Sequence, residues 1–171
     1  MNNSQEHAKT APQQLRCWVV TISDTRTEET DKSGKRIISL LEEDGHHIQG
    51  YEIVADDQQH IQQAVLSAAL QPDVDIIITN GGTGISLRDV TIESVTPLLQ
   101  KEIVGFGELF RMLSYTEDIG AAAMMSRAVA GVIGEKALFS LPGSTGAVTL
   151  GMNKLILPQA RHVVGEIRKQ R

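Results

Sequence analysis

Two glycine-rich turns and a scatter of acids give this chain its chemical character. The first turn, Asn80-Gly81-Gly82-Thr83-Gly84, runs into Arg88-Asp89 and a helical pattern; the second is Pro142-Gly143-Ser144-Thr145-Gly146. Glycine tolerates positive φ and lets backbone N–H groups approach an anion. A helix N-terminus beyond such a turn adds a field worth about 0.3–1 kcal/mol, and about 2 kcal/mol when partly buried. The chemistry this suits is capture of a phosphate or carboxylate. The first turn is not a Walker A loop, since no Gly-Lys-Ser/Thr closes it. Nor is it the dinucleotide fingerprint, because Leu87 stands where the third glycine would be. A tight strand-to-helix turn that needs glycine for geometry alone is the competing explanation.

The acids carry a similar double reading. Asp56 and Asp89 each precede a helical pattern, where aspartate is a common N-cap. Converging on a phosphate loop, the same two carboxylates would suit Mg²⁺, which prefers one or two carboxylates together with substrate phosphates and water. Ser23-Asp24 closes the first strand pattern. Arg88 is placed either to pair with phosphate or to stand in solvent. Ser144 can donate to an anion or cap the helix after Gly143. The five histidines show no metal-ligand spacing, and His46-His47 reads as part of a turn. Cys17 falls in an apolar strand pattern and reads as an inert filler.

The elements that must position these residues follow from periodicity. Leu15–Ser23 is apolar and β-branched, and reads as a buried strand. Asp31 or Ser33 can cap the next helix, with Ile37, Leu40 and Leu41 on its apolar face and Gly45 ending it. His47–Val54 is a second strand. Ile61, Val65, Ala68 and Ala69 mark a helix over about 57–70. Asp73–Thr79, with three consecutive isoleucines, is a central strand. Ile92, Val95 and Leu99 mark a helix from Val90 or Thr91, and Phe106, Leu109, Phe110 and Leu113 mark another. Ala128–Ile133 and Ala137–Pro142 are spaced as a hairpin, so one pairing is antiparallel. Val148, Met152 and Leu155 suggest one helix, and Val163, Val164 and Ile167 a second after Pro158. Alternating strands and helices imply α/β architecture, a mostly parallel sheet covered on both faces. In such sheets ligands bind outside the carboxyl ends of the strands, and both glycine turns, Ser23-Asp24 and Asp56 fall at such ends.

The chain has 171 residues, enough for one domain over residues 15–171 and too short for a second full domain. Residues 1–14 are polar and read as a mobile arm. No apolar run approaches the roughly 20 residues of a membrane helix, and the N-terminal residues lack the apolar core of a signal peptide. A single cysteine excludes an internal disulfide framework. These features point to the cytoplasm and away from membranes. A formal net charge of -5 argues against a dedicated nucleic-acid surface. The small-residue run Ala121–Gly131 suits close packing, within the fold or between subunits.

Taken together, TISDTRTEETDKSG, ITNGGTGISLRDVT, VGFGELFRMLSY, SRAVAGV and FSLPGST, in this order from about Val19 to Thr145, resemble the MoaB/MogA family of molybdenum-cofactor biosynthesis, with GFGELFRMLSY and SRAVAGV closer to MoaB. The resemblance implies a three-layer α/β/α fold and a homotrimer or homohexamer. It implies adenylylation of molybdopterin by ATP and Mg²⁺, giving adenylyl-molybdopterin and pyrophosphate. The family's two important aspartates map to Asp56 and Asp89, as catalytic groups and metal ligands. Some MoaB-type members lack these acids; this chain keeps both. Gly81, Gly82, Thr83 and Gly84 map to the phosphate cradle. Ser23, Asp24, Pro142, Gly143 and Ser144 are expected around the pterin or nucleotide. Two positions depart from active relatives, in which prolines often stand where this chain has Ala55 and Thr145. A non-catalytic molybdopterin-binding or delivery protein, or a structural subunit contacting other cofactor-assembly proteins, is the alternative.

Overall fold

The computed structural model describes residues 12–169. In chain order the elements are β1 (Arg16–Ile22), α1 (Lys32–Glu43), β2 (His47–Val54), α2 (Gln58–Leu70), β3 (Ile76–Asn80), α3 (Thr91–Val95), β4 (Lys101–Glu102), α4 (Val104–Glu117), β5 (Val129–Ile133), β6 (Lys136–Leu141), α5 (Thr145–Gly151) and α6 (Leu157–Arg168). The strands form one sheet in the order β2-β1-β3-β6-β5-β4. β2, β1, β3 and β6 run parallel, whereas β5–β6 and β4–β5 pair antiparallel. The predicted three-layer α/β/α arrangement and hairpin edge are both present. No helix among the described residues is long and apolar enough to cross a membrane.

Strand alternation builds two cores. Cys17, Val19, Ile76, Ile78, Phe139 and Leu141 face α1, α4, α5 and α6. Val20, Ile22, Ile77 and Leu138 face α2 and α3. The isoleucine run is therefore one strand buried on both faces, as parallel sheets require. Cys17 is fully buried, and burial pushes its thiol up to about 12, in keeping with a filler role.

Several elements differ from their sequence pattern for identifiable reasons. α3 stops at Val95 and passes into a 3₁₀ turn, Thr96–Leu98, because Pro97 has no N–H to continue an α-helix. Pro158 does not separate two helices. A π segment, Met152–Ile156, joins α5 to α6 and absorbs the missing donor in a wider turn. In α4 the inward face is Phe106, Gly107, Phe110 and Ser114, so Leu109 of the expected stripe is exposed. β4 is a two-residue edge strand too short to leave a periodic signal. His47 opens β2 instead of sitting in a turn, and buried His46 accepts the Leu15 N–H at its Nδ1 (3.2 Å). Of the expected mobile arm, residues 1–11 lie outside the described residues. Gln13 O accepts from Arg161 Nε (2.8 Å) and Gln14 Nε2 donates to Gly45 O (2.9 Å), so both touch the domain.

One buried polar network fixes the carboxyl ends of the first three strands. Asp31, the N-cap of α1, accepts from the Gly34 N–H (3.0 Å), Thr21 Oγ1 (2.6 Å) on β1 and the Tyr51 hydroxyl (2.6 Å) on β2. Ser33 Oγ donates to Asn80 Oδ1 (2.7 Å) at the end of β3, and Asn80 Nδ2 donates to Thr21 Oγ1 (2.9 Å). Burial works against the Asp31 charge, but the hydrogen bonds from Thr21, Tyr51 and Gly34, helped by Arg26, outweigh it and hold its carboxyl below the usual range. A depressed native pKa contributes stability above the unfolded value of about 3.9 and loses it as pH falls through the native value. Asp31→Asn is accordingly expected to lower the unfolding free energy at pH 7 by about 2–4 kcal/mol. Urea titrations across pH should show the gap from wild type closing below about pH 4. A gap that stayed constant down to low pH would contradict the role given to its charge.

Candidate functional site

The chain reverses its direction of sheet growth between β1 and β3, so their carboxyl ends flank a topological switch point, where open α/β sheets hold ligands. A cleft of about 370 Å³ opens there. Its floor and walls come from Ser23, Arg26, Gly81 to Gly84, Asp89 and the Pro142-Gly143 turn, with Met125 and Ser126 on one side. A wider depression of about 570 Å³ over α2 is lined by glutamines, Ser67, Leu66 and Leu70. Its lining holds no ionisable side chain, unlike that of the smaller cleft.

The loop after β3 is folded around carboxylates. Gly82 has φ +62°, and a Cβ there would lie 2.3 Å from Thr91 Oγ1 and 2.7 Å from Asp56 Oδ1. A Cβ on Gly84 would lie 2.6 Å from Asp89 Oδ2. These two glycines are thus required by close approach to the acids, and not by the turn alone. Thr91 closes the loop by donating its N–H to Gly82 O (2.9 Å) and its Oγ1 to Gly81 O (2.9 Å). The Gly81 N–H donates to Leu141 O (3.1 Å), joining the two glycine turns. Among the described residues, the N–H groups of Gly82, Thr83 and Gly84 donate to no other group of the chain.

Neither key aspartate is a helix cap. Asp57 caps α2 through the His60 N–H, and Val90 precedes α3 without a side-chain cap bond. Asp89 accepts from the N–H (3.1 Å) and Oγ (2.7 Å) of Ser86. Asp56 lies behind Gly82, outside the cleft lining, and its Oδ1 is buried without a hydrogen-bond partner among the described residues. Burial raises the Asp56 pKa first, and the Asp89 and Asp24 charges add to this. The Val90 N–H directed at it and the Arg88 charge pull the other way. A buried carboxylate oxygen with no partner, beside a second carboxylate, fits a cation that arrives with its own ligands. Among the described residues no cluster of three or more His, Cys, Asp or Glu makes a complete metal cage. Two carboxylates completed by phosphate and water need no such cage.

The remaining expected residues separate. Ser23 Oγ accepts from the N–H groups of Thr25 (3.2 Å) and Arg26 (3.1 Å), shaping the wall of the cleft. Asp24 stands at the edge. It accepts the Asp56 N–H (2.9 Å) and pairs with Arg88 (2.6 Å), which together hold its carboxyl below the usual range. Ser144 does not line the cleft; its Oγ caps α5 by accepting the Ala147 N–H (3.1 Å). Two arginines escaped the sequence reading. Arg26 donates to Gly143 O (2.8 Å) and Ser33 Oγ (2.6 Å), tying the second turn to the Asp31 network. Arg127 donates to Thr83 O (2.8 Å) and Gly84 O (2.6 Å). Lone arginines far from the loop in sequence carry no local pattern that marks such bonds.

Comparison with known proteins gives consistent results. The family model described as "Probable molybdopterin binding domain" matches residues 18–162. Molybdenum cofactor biosynthesis protein B of Bacillus cereus is 63% identical over 165 residues, covering 96% of this chain and 98% of that protein. The protein of the same name from Bacillus subtilis is 62% identical over 167 residues, covering 98% of each. A crystal structure of a molybdenum cofactor biosynthesis protein B, 63% identical, superposes with a TM-score of 0.91 over 94% of this chain and 99% of that one. The tungsten cofactor synthesizing protein MoaB from Pyrococcus furiosus, 40% identical, gives 0.83 over 93% and 100%.

The raised Asp56 pKa has a direct consequence for stability. A carboxyl that is harder to ionise in the folded state than in the unfolded one destabilises the fold at neutral pH, and the penalty is relieved as pH falls through its native pKa. Asp56→Asn should raise Tm of the ligand-free protein at pH 7 by about 2–4 °C. Differential scanning calorimetry should show this advantage fading under acid conditions. A lower Tm at pH 7 would contradict the penalty assigned to Asp56.

Proposed function

This chain belongs to the MoaB/MogA family of molybdenum cofactor biosynthesis proteins, and from that premise we propose that it adenylylates molybdopterin using ATP. The observation that carries this reading is the buried Asp56 oxygen, without a partner among the described residues, held against Gly82 beside Asp89 and the Gly82, Thr83 and Gly84 N–H groups, which donate to no other described group. In the reaction a terminal phosphate oxygen of molybdopterin attacks the α-phosphorus of ATP. The bond from that phosphorus to the oxygen bridging to the β-phosphorus breaks, and pyrophosphate leaves with the electron pair. No protein nucleophile is needed, because transfers of this type depend on positioning and electrostatics. In keeping with that, the only thiol, Cys17, is fully buried in the core.

Each group then has a role. The N–H groups of Gly82, Thr83 and Gly84 grip phosphate oxygens where charge accumulates on the leaving group. Arg26 lines the cleft beside Gly143 and offsets negative charge on the incoming phosphates. Mg²⁺, when bound, would be held by Asp56 and Asp89 and would neutralise charge on the phosphate oxygens. Ser23 and the Pro142-Gly143 turn set the width of the cleft and orient what enters it.

The protein is further proposed to act as a homotrimer or homohexamer. Beyond the family resemblance, support comes from an apolar surface on α4 and the following 3₁₀ segment. Met112, Tyr115 and Met124 are 52%, 61% and 84% exposed there. Multi-angle light scattering at micromolar concentration is expected to give a multiple of three chains; a monomer would remove this element.

The activity is tested by pyrophosphate release from ATP and Mg²⁺ with and without molybdopterin. Release should require the pterin, and Asp89→Asn should cut turnover by about 10²–10³-fold with the circular-dichroism melt nearly unchanged. Full turnover in Asp89→Asn would refute the role of that carboxylate. Tight pterin binding with no pyrophosphate release would establish the binding and delivery reading instead.

A further inference from the structure

Arg127 lies in the stretch between Met125 and β5, outside the cleft lining. Nothing in the proposed reaction requires it to meet a ligand. Yet every hydrogen bond of its guanidinium goes to the glycine loop or the helix after it. Nε donates to Thr83 O (2.8 Å), and Nη2 to Gly84 O (2.6 Å) and Asp89 O (3.3 Å). Nη1 meets Glu93 Oε1, and Nη2 meets Glu93 Oε2 (3.2 Å).

A trans peptide unit fixes what these bonds do. Within one unit the C=O and the next N–H point in opposite directions. Holding Thr83 C=O toward Arg127 turns the Gly84 N–H away from it; holding Gly84 C=O does the same to the Ile85 N–H. Holding Asp89 C=O turns the Val90 N–H away in the same sense. We infer that Arg127 is a positioning residue: by holding the Thr83, Gly84 and Asp89 carbonyls it orients three peptide units, so that the Gly84 N–H of the cleft lining is turned away from the guanidinium and toward the ligand phosphate. This deepens the phosphate-site reading of the cleft and rests on it.

The net charge of Arg127 is not what the site uses, because Glu93 sits on the guanidinium and neutralises it. What matters is the planar fork, which reaches three carbonyls and a carboxylate at once. A lysine keeps the charge but has a single ammonium and cannot span them. Arg127→Lys should consequently fail nearly as badly as Arg127→Ala, an outcome that a simple charge effect would not give.

Two measurements on the full chain test this. The first is hydrogen exchange without ligand, read at Ser86, Asp89 and Thr91, whose N–H groups are bonded within the loop. Both variants should exchange at least about tenfold faster there, with β1 and β3 unchanged. Unchanged loop exchange in the folded Arg127→Lys protein would overturn the inference. The second is calorimetric affinity for ATP with Mg²⁺. Both variants should bind about 10- to 100-fold more weakly, and millimolar guanidinium should restore Arg127→Ala but not Arg127→Lys. Wild-type binding with equal binding by Arg127→Lys would overturn the inference alone. Absence of ATP binding in wild type would overturn the phosphate reading, and the inference with it.

Discussion

Two carboxylates pressed against glycine backbone set the terms for the rest of this structure. A Cβ on residue 82 would lie 2.3 Å from Thr91 Oγ1 and 2.7 Å from Asp56 Oδ1, and one on residue 84 would lie 2.6 Å from Asp89 Oδ2. A side chain on either glycine would push on Thr91 and Asp56 or on Asp89. The loop, the acids and the helix that follows are therefore a single steric unit. Thr91 seals it through Gly81 O and Gly82 O, and the Gly81 N–H fastens it to the end of β6. The parallel sheet supplies what this unit needs: two strand ends at a switch point, rigid because β3 is buried on both faces.

The electrostatics follow from that steric arrangement. Packing the acids behind glycines strips water from Asp56 and brings like charge near it, which works against ionisation. Carbonyls of the same loop are occupied by Thr91 and Arg127, while the Gly82, Thr83 and Gly84 N–H groups have no partner among the described residues. Among the described residues the loop thus sets a buried carboxylate oxygen and unpaired amides close together. On the proposed reading, a phosphate ligand arriving with a divalent cation would satisfy both at once. At its other edge Asp31 performs the opposite task. It is a buried acid fully supplied with donors, and it serves as an anchor for β1, β2, α1 and Arg26.

Much of this was legible in the sequence. Period-two and period-3.6 patterns located the main strands and most helices, and the strand-end rule set Ser23-Asp24, Asp56 and both glycine turns at the carboxyl ends of strands; of these, Ser23, Gly81 to Gly84, Pro142 and Gly143 line the cleft, whereas Asp24, Asp56 and Ser144 do not. The glycine spacing suggested an anion loop, though not that the glycines exist to admit Asp56 and Asp89. Local signals misdirected where tertiary context decides. Asp56 resembles a cap, yet Asp57 takes that position, and Ser144 resembles a ligand donor, yet it caps α5. Pro158 looks like a boundary, but a π turn carries the chain through it. Arg26 and Arg127 were invisible because their partners are backbone carbonyls 117 and about 43 residues away, and a single arginine has no period.

The central claim is that Asp56, packed behind the glycine loop, is held in a state that a phosphate-bound cation relieves at neutral pH. Titration of its carboxyl carbon by ¹³C NMR tests this most directly, with Asp56→Asn to assign the signal. Ligand-free protein should give a pKa above the ordinary aspartate range, and Mg²⁺ with a non-hydrolysable ATP analogue should bring it well below that. An ordinary ligand-free value, or a raised value that does not move on adding both, would contradict the account.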